Sequence, residues 1–220
     1  MKNCFIMISG ALLMLTGGCF TPVTPEPPSP PAEKIRTVML DAGHGDHDPG
    51  AVGLFSQEKN LNLALALAVA EELRQRGFQV ALTRSDDTFL SLAERCRAAE
   101  KADIFVSLHH NASLNKKASG VETYAPATVS DNHTQSVILA FLVHRRMASV
   151  AAVPDRGLRS ARYYVLENTG IPAILVEAGF ISNPTEEILI NTAEYRQRIS
   201  TAIADGIVDF YDQGRDEKKK

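Results

Sequence analysis

The sequence predicts an α/β fold, with a single domain built on a twisted, mostly parallel central sheet that carries helices on both faces. From residue 35 onward, short apolar runs alternate with longer segments of helical periodicity, which is the pattern of repeated strand–helix units. Several short runs are apolar at consecutive positions, as expected for strands covered on both faces. The length of 220 residues suits one such domain.

The strands are predicted where short runs of β-branched, aromatic or other apolar residues are bounded by polar or turn residues. Because the third run is apolar on both sides of the strand, we expect it in the interior of the sheet. The predicted strands are, in chain order, residues 35–40, 78–83, 104–108, 121–124, 163–166 and 173–176.

The helices are predicted from apolar residues at helical spacing. Residues 61–73 are apolar on nearly every side, which indicates a helix buried over much of its surface, and Gly77 can end it. A second helix over residues 91–101 carries Cys96 on its apolar stripe, so we expect this thiol to be buried. Two further helices are predicted over residues 136–150 and 195–211, the last of them amphipathic.

The N-terminus has the composition of an export signal. Lys2 precedes an apolar run, and the small residues Gly17 and Gly18 lead directly into Cys19. Residues 1–18 resemble a bacterial lipoprotein signal, with Cys19 as the lipid-bearing residue; an ordinary cleaved signal, with Cys19 incidental, is the alternative. We therefore expect an exported protein of the periplasm or cell envelope, anchored to a membrane by lipid.

The remaining boundaries follow from composition. Residues 19–33 are dense in proline and predict an extended tether. Residues 34–212 form the predicted folded domain, and residues 213–220 a charged tail. The formal net charge is −3 without a basic block in the folded part, which argues against nucleic acid as a partner. Cys96 is the only cysteine of the folded part, so no internal disulfide is expected, and we expect a monomer.

Residues that bind metals or move protons follow three predicted strands. His44 lies in the glycine-rich loop after the first strand, His109 ends the third, and Glu177 follows residues 173–176. A fourth candidate, Glu58, stands near the start of the first helix. Ligands bind beyond the carboxyl ends of strands in such sheets, and two histidines with two carboxylates suit a catalytic zinc site. Singly, His44 is also explained as a surface side chain and Glu58 as a charge at a helix N-terminus.

Several motifs together resemble the zinc-dependent N-acetylmuramoyl-L-alanine amidases, a family of bacterial cell-wall hydrolases also called amidase type 3. The resemblance runs in unbroken order from about residue 35 to residue 211. The motifs are DAGHG at 41–45 with DPGA at 48–51, QEKNLN at 57–62, SLHHNAS at 107–113, GVETY at 120–124, DRGL at 155–158, YVL at 164–166 and VEAGFISNP at 176–184.

The resemblance implies a role for each candidate residue. His44, Glu58 and His109 are expected to bind one Zn²⁺ per chain, and Glu177 is expected to be the catalytic carboxylate. The implied fold is a single α/β domain. The implied reaction is hydrolysis of the amide bond between N-acetylmuramic acid and the L-alanine of the stem peptide in peptidoglycan.

Neighbouring polar residues leave local alternatives. His109 and His110 should point to opposite faces of a strand, so only one can readily bind the metal, and the family pattern selects His109. The family more often has another residue at the position of His47, which is expected either to be a solvated loop side chain or to contact substrate. Asn111 is the second candidate for substrate binding.

The stretch between the GVET strand and the DRG segment predicts how the site is regulated. Some family members carry a long helical insertion there that blocks the zinc until an activator binds. Residues 124–155 leave room for little more than one ordinary helix, so we expect no obligatory activator. Two other functions remain open: a zinc peptidase that cuts within the stem peptide, and a non-catalytic wall-binding lipoprotein.

Overall fold

A computed structural model describes residues 36–217, with side chains to residue 213. The predicted signal, the proposed anchor residue Cys19 and the predicted tether lie outside the described residues, as do residues 218–220. Within residues 36–217, no helix combines the length and the apolar character that crossing a membrane requires.

Strands and helices alternate along most of the chain, as the sequence pattern predicts. The strands are β1 Thr37–Ala42, β2 Gln79–Leu82, β3 Ile104–Asn111, β4 Val121–Pro126, β5 Asp155–Ala161 and β6 Ala173–Phe180. The helices are α1 Glu58–Gln75, α2 Leu92–Ala99, α3 His133–Val150, α4 Tyr164–Glu167, α5 Pro184–Ile190 and α6 Ala193–Glu217.

The six described strands form one sheet in the order β2-β1-β3-β6-β4-β5. The four neighbouring strands β2, β1, β3 and β6 are parallel to one another. β4 runs antiparallel to β6, and β5 is parallel to β4. The predicted single α/β domain with a mostly parallel sheet is therefore confirmed. In the register of β3 and β6, His109 lies beside Glu177, so two predicted site residues share one face of the sheet.

The two faces of the sheet are covered to different extents. On the face that we call the covered face, alternate residues such as Leu40 and Val106 pack against α1, α3 and α6 in one large apolar cluster. On the opposite face, which we call the open face, Phe105 and Leu175 pack against α2 and α4 in a smaller cluster. Because α2 has eight residues and α4 only four, they shield only part of this face. His109 and Glu177 lie on the open face beyond them.

The strand predicted over residues 163–166 is wrong, because the chain forms the short helix α4 there. Val165 and Leu166 are both buried in the open-face cluster. Consecutive residues of a strand point to opposite faces, so a strand would not have placed both side chains in one cluster on one face of the sheet. Burial of both side chains in one cluster outweighs the strand preference of this aromatic and β-branched run.

Two elements have no counterpart among the predicted ones. β5 is an edge strand of mostly exposed, polar residues, so it lacks the apolar run that marks interior strands. α5 begins at Pro184, after Asn183 accepts hydrogen bonds from the backbone N–H groups of Thr185 and Glu186, which is a capping arrangement readable in the sequence. α6 also extends to Glu217, past the predicted end at Tyr211 and into the predicted tail.

Candidate metal centre

The loop after β1 turns sharply enough to bring His44 back over the sheet. His44 has a positive φ of 64° and Gly50 one of 63°, a backbone region that side chains other than glycine rarely adopt. A Cβ atom on Gly43 would lie 2.1 Å from the His109 ring, and one on Gly50 would lie 2.6 Å from a carboxylate oxygen of Glu58. The glycines therefore permit the close approach of three candidate ligands.

Two buried arginines hold this loop through its backbone carbonyl groups. Arg84 donates to the carbonyl oxygens of Ala42 and Gly43, at 2.9 Å each. Arg95 donates to the carbonyl oxygens of Ala42 at 2.7 Å and His44 at 2.8 Å. Guanidinium groups with several fixed donors suit this role because each can bind several carbonyl groups that the helices and strands leave unpaired.

The charge of Arg95 is matched by Asp41, a buried carboxylate near the end of β1. The Arg95 Nη1–Asp41 Oδ1 distance is 2.7 Å, and the two side chains are 3% and 1% exposed. Asp41 also accepts hydrogen bonds from the hydroxyl groups of Thr83 and Ser107. This network is fully paired, which makes a buried ion pair tolerable.

The candidate ligands converge above this network. His44 comes from the loop, Glu58 is the first residue of α1, and His109 lies on β3. The distances to Glu58 Oε1 are 3.1 Å from His44 Nε2 and 2.9 Å from His109 Nδ1. One ligand atom from each of the three residues lies within 4.8 Å of the others.

These donors fit a zinc ion. Two ligand atoms, each about 2.1 Å from a tetrahedral centre, lie about 3.4 Å apart, close to the distances from Glu58 to the two imidazoles. His44 Nδ1 contacts Asp48 Oδ2 at 2.8 Å, which leaves its Nε2 atom for a metal, as in a carboxylate–histidine–metal relay. Glu58 Oε2 accepts the backbone N–H of Ala51 at 2.8 Å, so its other oxygen faces the two imidazoles.

The electrostatics favour a charged, ligand-ready carboxylate. Burial would raise the pKa of Glu58, but the hydrogen bonds and charges of His109 and His44 outweigh it and hold the pKa far below its usual range. Burial would lower the pKa of His44, but Glu58 and Asp48 raise it overall. A metal ion binds the deprotonated forms of imidazole and carboxylate groups, so its affinity here should rise with pH.

Glu177 differs from Glu58 in its surroundings. It lies on β6 with 9% of its surface exposed, and burial, with smaller contributions from Glu58 and Glu122, raises its pKa well above the usual value. Its Oε2 atom has no hydrogen-bond partner among the described residues. A buried polar atom without a partner is costly in a structure built only for stability, so this oxygen is available to a ligand or substrate.

A cavity of about 380 Å³ opens beside the convergent side chains. His44, His109 and Glu177 line it together with mostly apolar side chains. An apolar cavity with a few convergent polar groups is the usual form of a small-molecule site. The apolar lining residues are Phe89, Leu90, Leu92, Tyr163, Tyr164, Val165 and Leu175.

The remaining sequence candidates lie around this centre. His110 is buried opposite His109, where its Nδ1 lies 2.9 Å from Asn62 Oδ1 and burial lowers its pKa to about 4. Asn111 donates from Nδ2 to Glu122 Oε2 at 2.9 Å. His47 is exposed, and its ring lies 4.3 Å from that of Phe89 at the cavity wall.

Sequence reasoning assigned no role to Asp48, Arg84, Arg95 or Glu122. Arg95 carried a signal, since it stands three residues after Leu92 and one before Cys96, on the stripe read as apolar. Asp48 was also visible, because it stands four residues after His44 in a loop rich in glycine. Arg84 and Glu122 act through contacts distant in sequence, which no local pattern reveals.

The chain is similar to known proteins over most of its length. The sequence profile of the family described as N-acetylmuramoyl-L-alanine amidase matches residues 38–209. The uncharacterized protein YqiI of Bacillus subtilis is 37% identical over 199 residues, which cover 89% of this chain and 95% of YqiI. The N-acetylmuramoyl-L-alanine amidase LytC of the same organism is 37% identical over 178 residues, which cover 80% of this chain and 36% of LytC.

A solved structure agrees in fold as well as in sequence. The catalytic domain of CwlV, an N-acetylmuramoyl-L-alanine amidase from Bacillus (Paenibacillus) polymyxa var. colistinus, superposes with a TM-score of 0.76 and 40% identity. The match covers 81% of this chain and 99% of that domain. The resemblance seen in the sequence motifs is thereby confirmed, together with the amidase activity that it implied. The chain belongs to the N-acetylmuramoyl-L-alanine amidase family.

Proposed function

We propose that His44, Glu58 and His109 bind one Zn²⁺ and that Glu177 is the catalytic carboxylate of this amidase. The substrate bond is the amide between N-acetylmuramic acid and L-alanine in peptidoglycan, in keeping with the family. One observation carries the assignment: three ligand atoms within 4.8 Å of one another, beside a buried carboxyl group that has an unpartnered oxygen. The register of β3 and β6 holds His109 next to Glu177.

The chemistry requires a better electrophile and a better leaving group than an amide provides. Zinc, when bound, polarises the scissile carbonyl and lowers the pKa of water toward about 7. Glu177 Oε2 accepts a proton from the attacking water and donates it to the departing alanine nitrogen. The raised pKa of Glu177 suits the second step, because a carboxyl group that holds its proton more firmly is an acid near neutral pH.

The surrounding side chains fix the reacting groups. Asp48 holds the His44 ring through Nδ1, and the backbone N–H of Ala51 holds Glu58 through Oε2. Apolar side chains line the cavity beside Glu177, and surroundings of low dielectric constant strengthen electrostatic interactions there. These residues position the chemistry without themselves exchanging protons with substrate.

We further propose that the protein acts at the cell envelope, held by a lipid on Cys19 and separated from its anchor by the tether of residues 19–33. We also propose that the domain is monomeric and needs no activator. The segment between β4 and β5 contributes one helix, α3, which packs on the covered face against α6. That placement supports a catalytic face free of a blocking helix within the described residues.

Metal analysis combined with product identification tests the assignment. The purified domain should bind one zinc per chain and release whole stem peptides from purified peptidoglycan while leaving glycan chains intact. Glu177→Ala should keep its zinc and lose activity by at least about 10²-fold, the usual contribution of a general acid–base. His44→Ala should lose both.

Three results would contradict this proposal. Cleavage products within the stem peptide would identify a peptidase, and zinc binding without any cleavage would identify a wall-binding protein. Near-normal turnover by zinc-loaded Glu177→Ala would remove this residue from the mechanism. Gly170→Ala is the control for folding and handling, because its new methyl group would meet no atom within 4 Å.

A further inference from the structure

The edge strand β5 brings two guanidinium groups to one buried carboxylate near the catalytic face. Glu122 lies on β4, directly opposite Glu177 in the antiparallel register, and its side chain is 3% exposed. The Arg156 Nε–Glu122 Oε1 distance is 2.5 Å. Glu122 Oε2 accepts hydrogen bonds from the hydroxyl group of Tyr124 at 2.6 Å and from Asn111 Nδ2 at 2.9 Å. Glu122 is therefore fully paired without a second cation.

Arg159 supplies that second cation. Its Nε atom lies 3.5 Å from Glu122 Oε1, farther than Arg156, and its remaining hydrogen bond is a 3.4 Å contact from Nη2 to the Arg156 carbonyl. The Arg159 side chain is 46% exposed. Arg156 is more enclosed, since it also stacks over the Phe180 ring at 5.0 Å. One Glu122 charge thus faces two arginine charges, and Arg159 keeps donors for which no acceptor is found among residues 36–217.

The register places this group beside the cavity. Arg159 on β5 pairs with Tyr124 on β4, which pairs with Leu175 on β6. Two strand spacings separate Arg159 from Leu175, or about 10 Å. Leu175, Glu177 and Tyr163 line the cavity, and the Tyr124 and Tyr163 rings are in contact at 5.1 Å. Arg159 is therefore not a lining residue, and its positive charge lies on the β5 side of the cavity, beyond Tyr124.

We propose that Arg159 binds the free α-carboxylate of the second residue of the stem peptide, and this inference rests on the proposed function. In that peptide L-alanine is followed by D-glutamate linked through its side-chain carboxyl, so the α-carboxyl group is either free or amidated. Each residue of an extended chain spans about 3.5 Å, so the α-carboxylate lies about 7 Å from the alanine nitrogen. An alanine nitrogen at Glu177 brings that carboxylate within reach of the Arg159 side chain.

Binding of the α-carboxylate by Arg159 would orient the substrate in the site and favour stem peptides with the free acid. The peptide leaves the metal centre toward β5, and the sugar lies toward the apolar cavity wall. Arginine binds a carboxylate through two parallel hydrogen bonds, whereas an amide offers one acceptor and no charge. The enzyme should therefore prefer stem peptides with the free acid over amidated ones by about tenfold, as expected for one half-exposed charged hydrogen bond.

Paired substrates test this preference. Soluble disaccharide-peptides with complete stems, identical except for a free or amidated second residue, are digested by the zinc-loaded enzyme and its variants. We expect wild type to cut the free acid with a kcat/KM about tenfold higher than that for the amidated substrate, because the KM for the acid is lower. Arg159→Gln should lower the rate on the acid to about that on the amide, and it should slow the amide much less because the amide carries no charge. Arg159→Lys should restore part of the difference. Arg145→Gln, on the covered-face helix α3, removes an exposed arginine charge and should keep the wild-type preference.

Two results would overturn the inference. Equal cleavage of both substrates by wild type, or equal slowing of both by Arg159→Gln, would show that Arg159 does not bind the carboxylate. Its charge would then serve only to keep the edge strand from pairing with another chain. Thermal unfolding is the control for folding. If Arg159→Gln unfolds at the wild-type midpoint and loses activity only on the free acid, the loss is an effect on substrate binding. Failure of zinc-loaded wild type to cut either fragment or whole peptidoglycan would refute the proposed function itself, which is a different outcome from cleavage without preference.

Discussion

The covered and open faces of the sheet bury different kinds of side chain. The covered face packs alternate residues of β1, β3 and β6 against three long helices in a large apolar cluster, and the neutral polar pair Asn62 and His110 is buried beside it. The open face buries Asp41, Arg95, Glu122 and Glu177 beside a small apolar cluster under α2 and α4. Apolar burial stabilises a fold directly, whereas buried charges need partners to be tolerated at all. The difference indicates that the covered face holds the domain together while the open face is organised for chemistry.

The largest effect is expected from removing one buried group on each face. Arg95→Met leaves Asp41 without its cationic partner and should lower the free energy of unfolding by about 3–5 kcal/mol. Ile199→Ala, on α6 and fully buried, should lower it by about 2–5 kcal/mol through a cavity. Only Arg95→Met should also weaken zinc binding, because Arg95 holds the His44 loop. Urea unfolding of the metal-free proteins and zinc titration measure the two quantities.

An exposed ion pair provides the control for the arginine variant. Arg146→Met removes a contact with Asp209 in which the arginine is 46% exposed, and it should change stability by less than about 1 kcal/mol. Equal loss of zinc affinity in Arg95→Met and Ile199→Ala would contradict this comparison, because a substitution on the covered face would then affect the metal centre as much as one on the open face.

A smaller effect is expected from a methyl group at the centre of the site. Gly43→Ala places a Cβ atom 2.1 Å from the His109 ring, so the ring or the loop must move. We expect zinc affinity to fall by about 10–100-fold, as for other changes that misorient a ligand, with competition against a chelator as the measurement. Gly170→Ala should bind zinc like wild type. Unchanged affinity in Gly43→Ala would mean that His109 is not a ligand.

The smallest effect concerns the pH dependence of stability without metal. The pKa of Glu177 is raised in the folded state. At low pH its carboxyl group is protonated in both the folded and the unfolded protein. As pH rises above the unfolded value of about 4.3, the unfolded state ionises more readily and stability is lost, by about 1.4 kcal/mol for each unit of raised pKa. Glu177→Gln removes this loss, so its advantage over wild type should grow from pH 4 to pH 8.

Chemical unfolding at several pH values in the presence of a chelator measures that advantage. The other titrating groups are common to both proteins, so the difference between them reports on position 177. A constant difference across this pH range would show that folding does not raise the pKa of Glu177.

Much of the fold could be predicted because its signals are local. The interior strands β1, β3 and β6 are apolar runs, and Cys96 lies buried on the predicted stripe of α2. β5 escaped prediction because an edge strand of polar residues carries no burial pattern. α4 was misread because its strand-like residues are held in a helix by the burial of Val165 and Leu166 together, which depends on packing between elements distant in sequence.

The sequence by itself determined which chemical groups are present, in what order, and to which family the chain belongs. His44, Glu58, His109 and Glu177 could be named from their places after strands and from the motifs around them. Only the tertiary structure decided how these groups affect one another: the approach of two imidazoles to one oxygen of Glu58, the unpartnered oxygen of Glu177, and the second arginine beside Glu122. Electrostatic interactions depend on distance and burial in space, and residues on different strands, helices and loops acquire both only when the sheet forms.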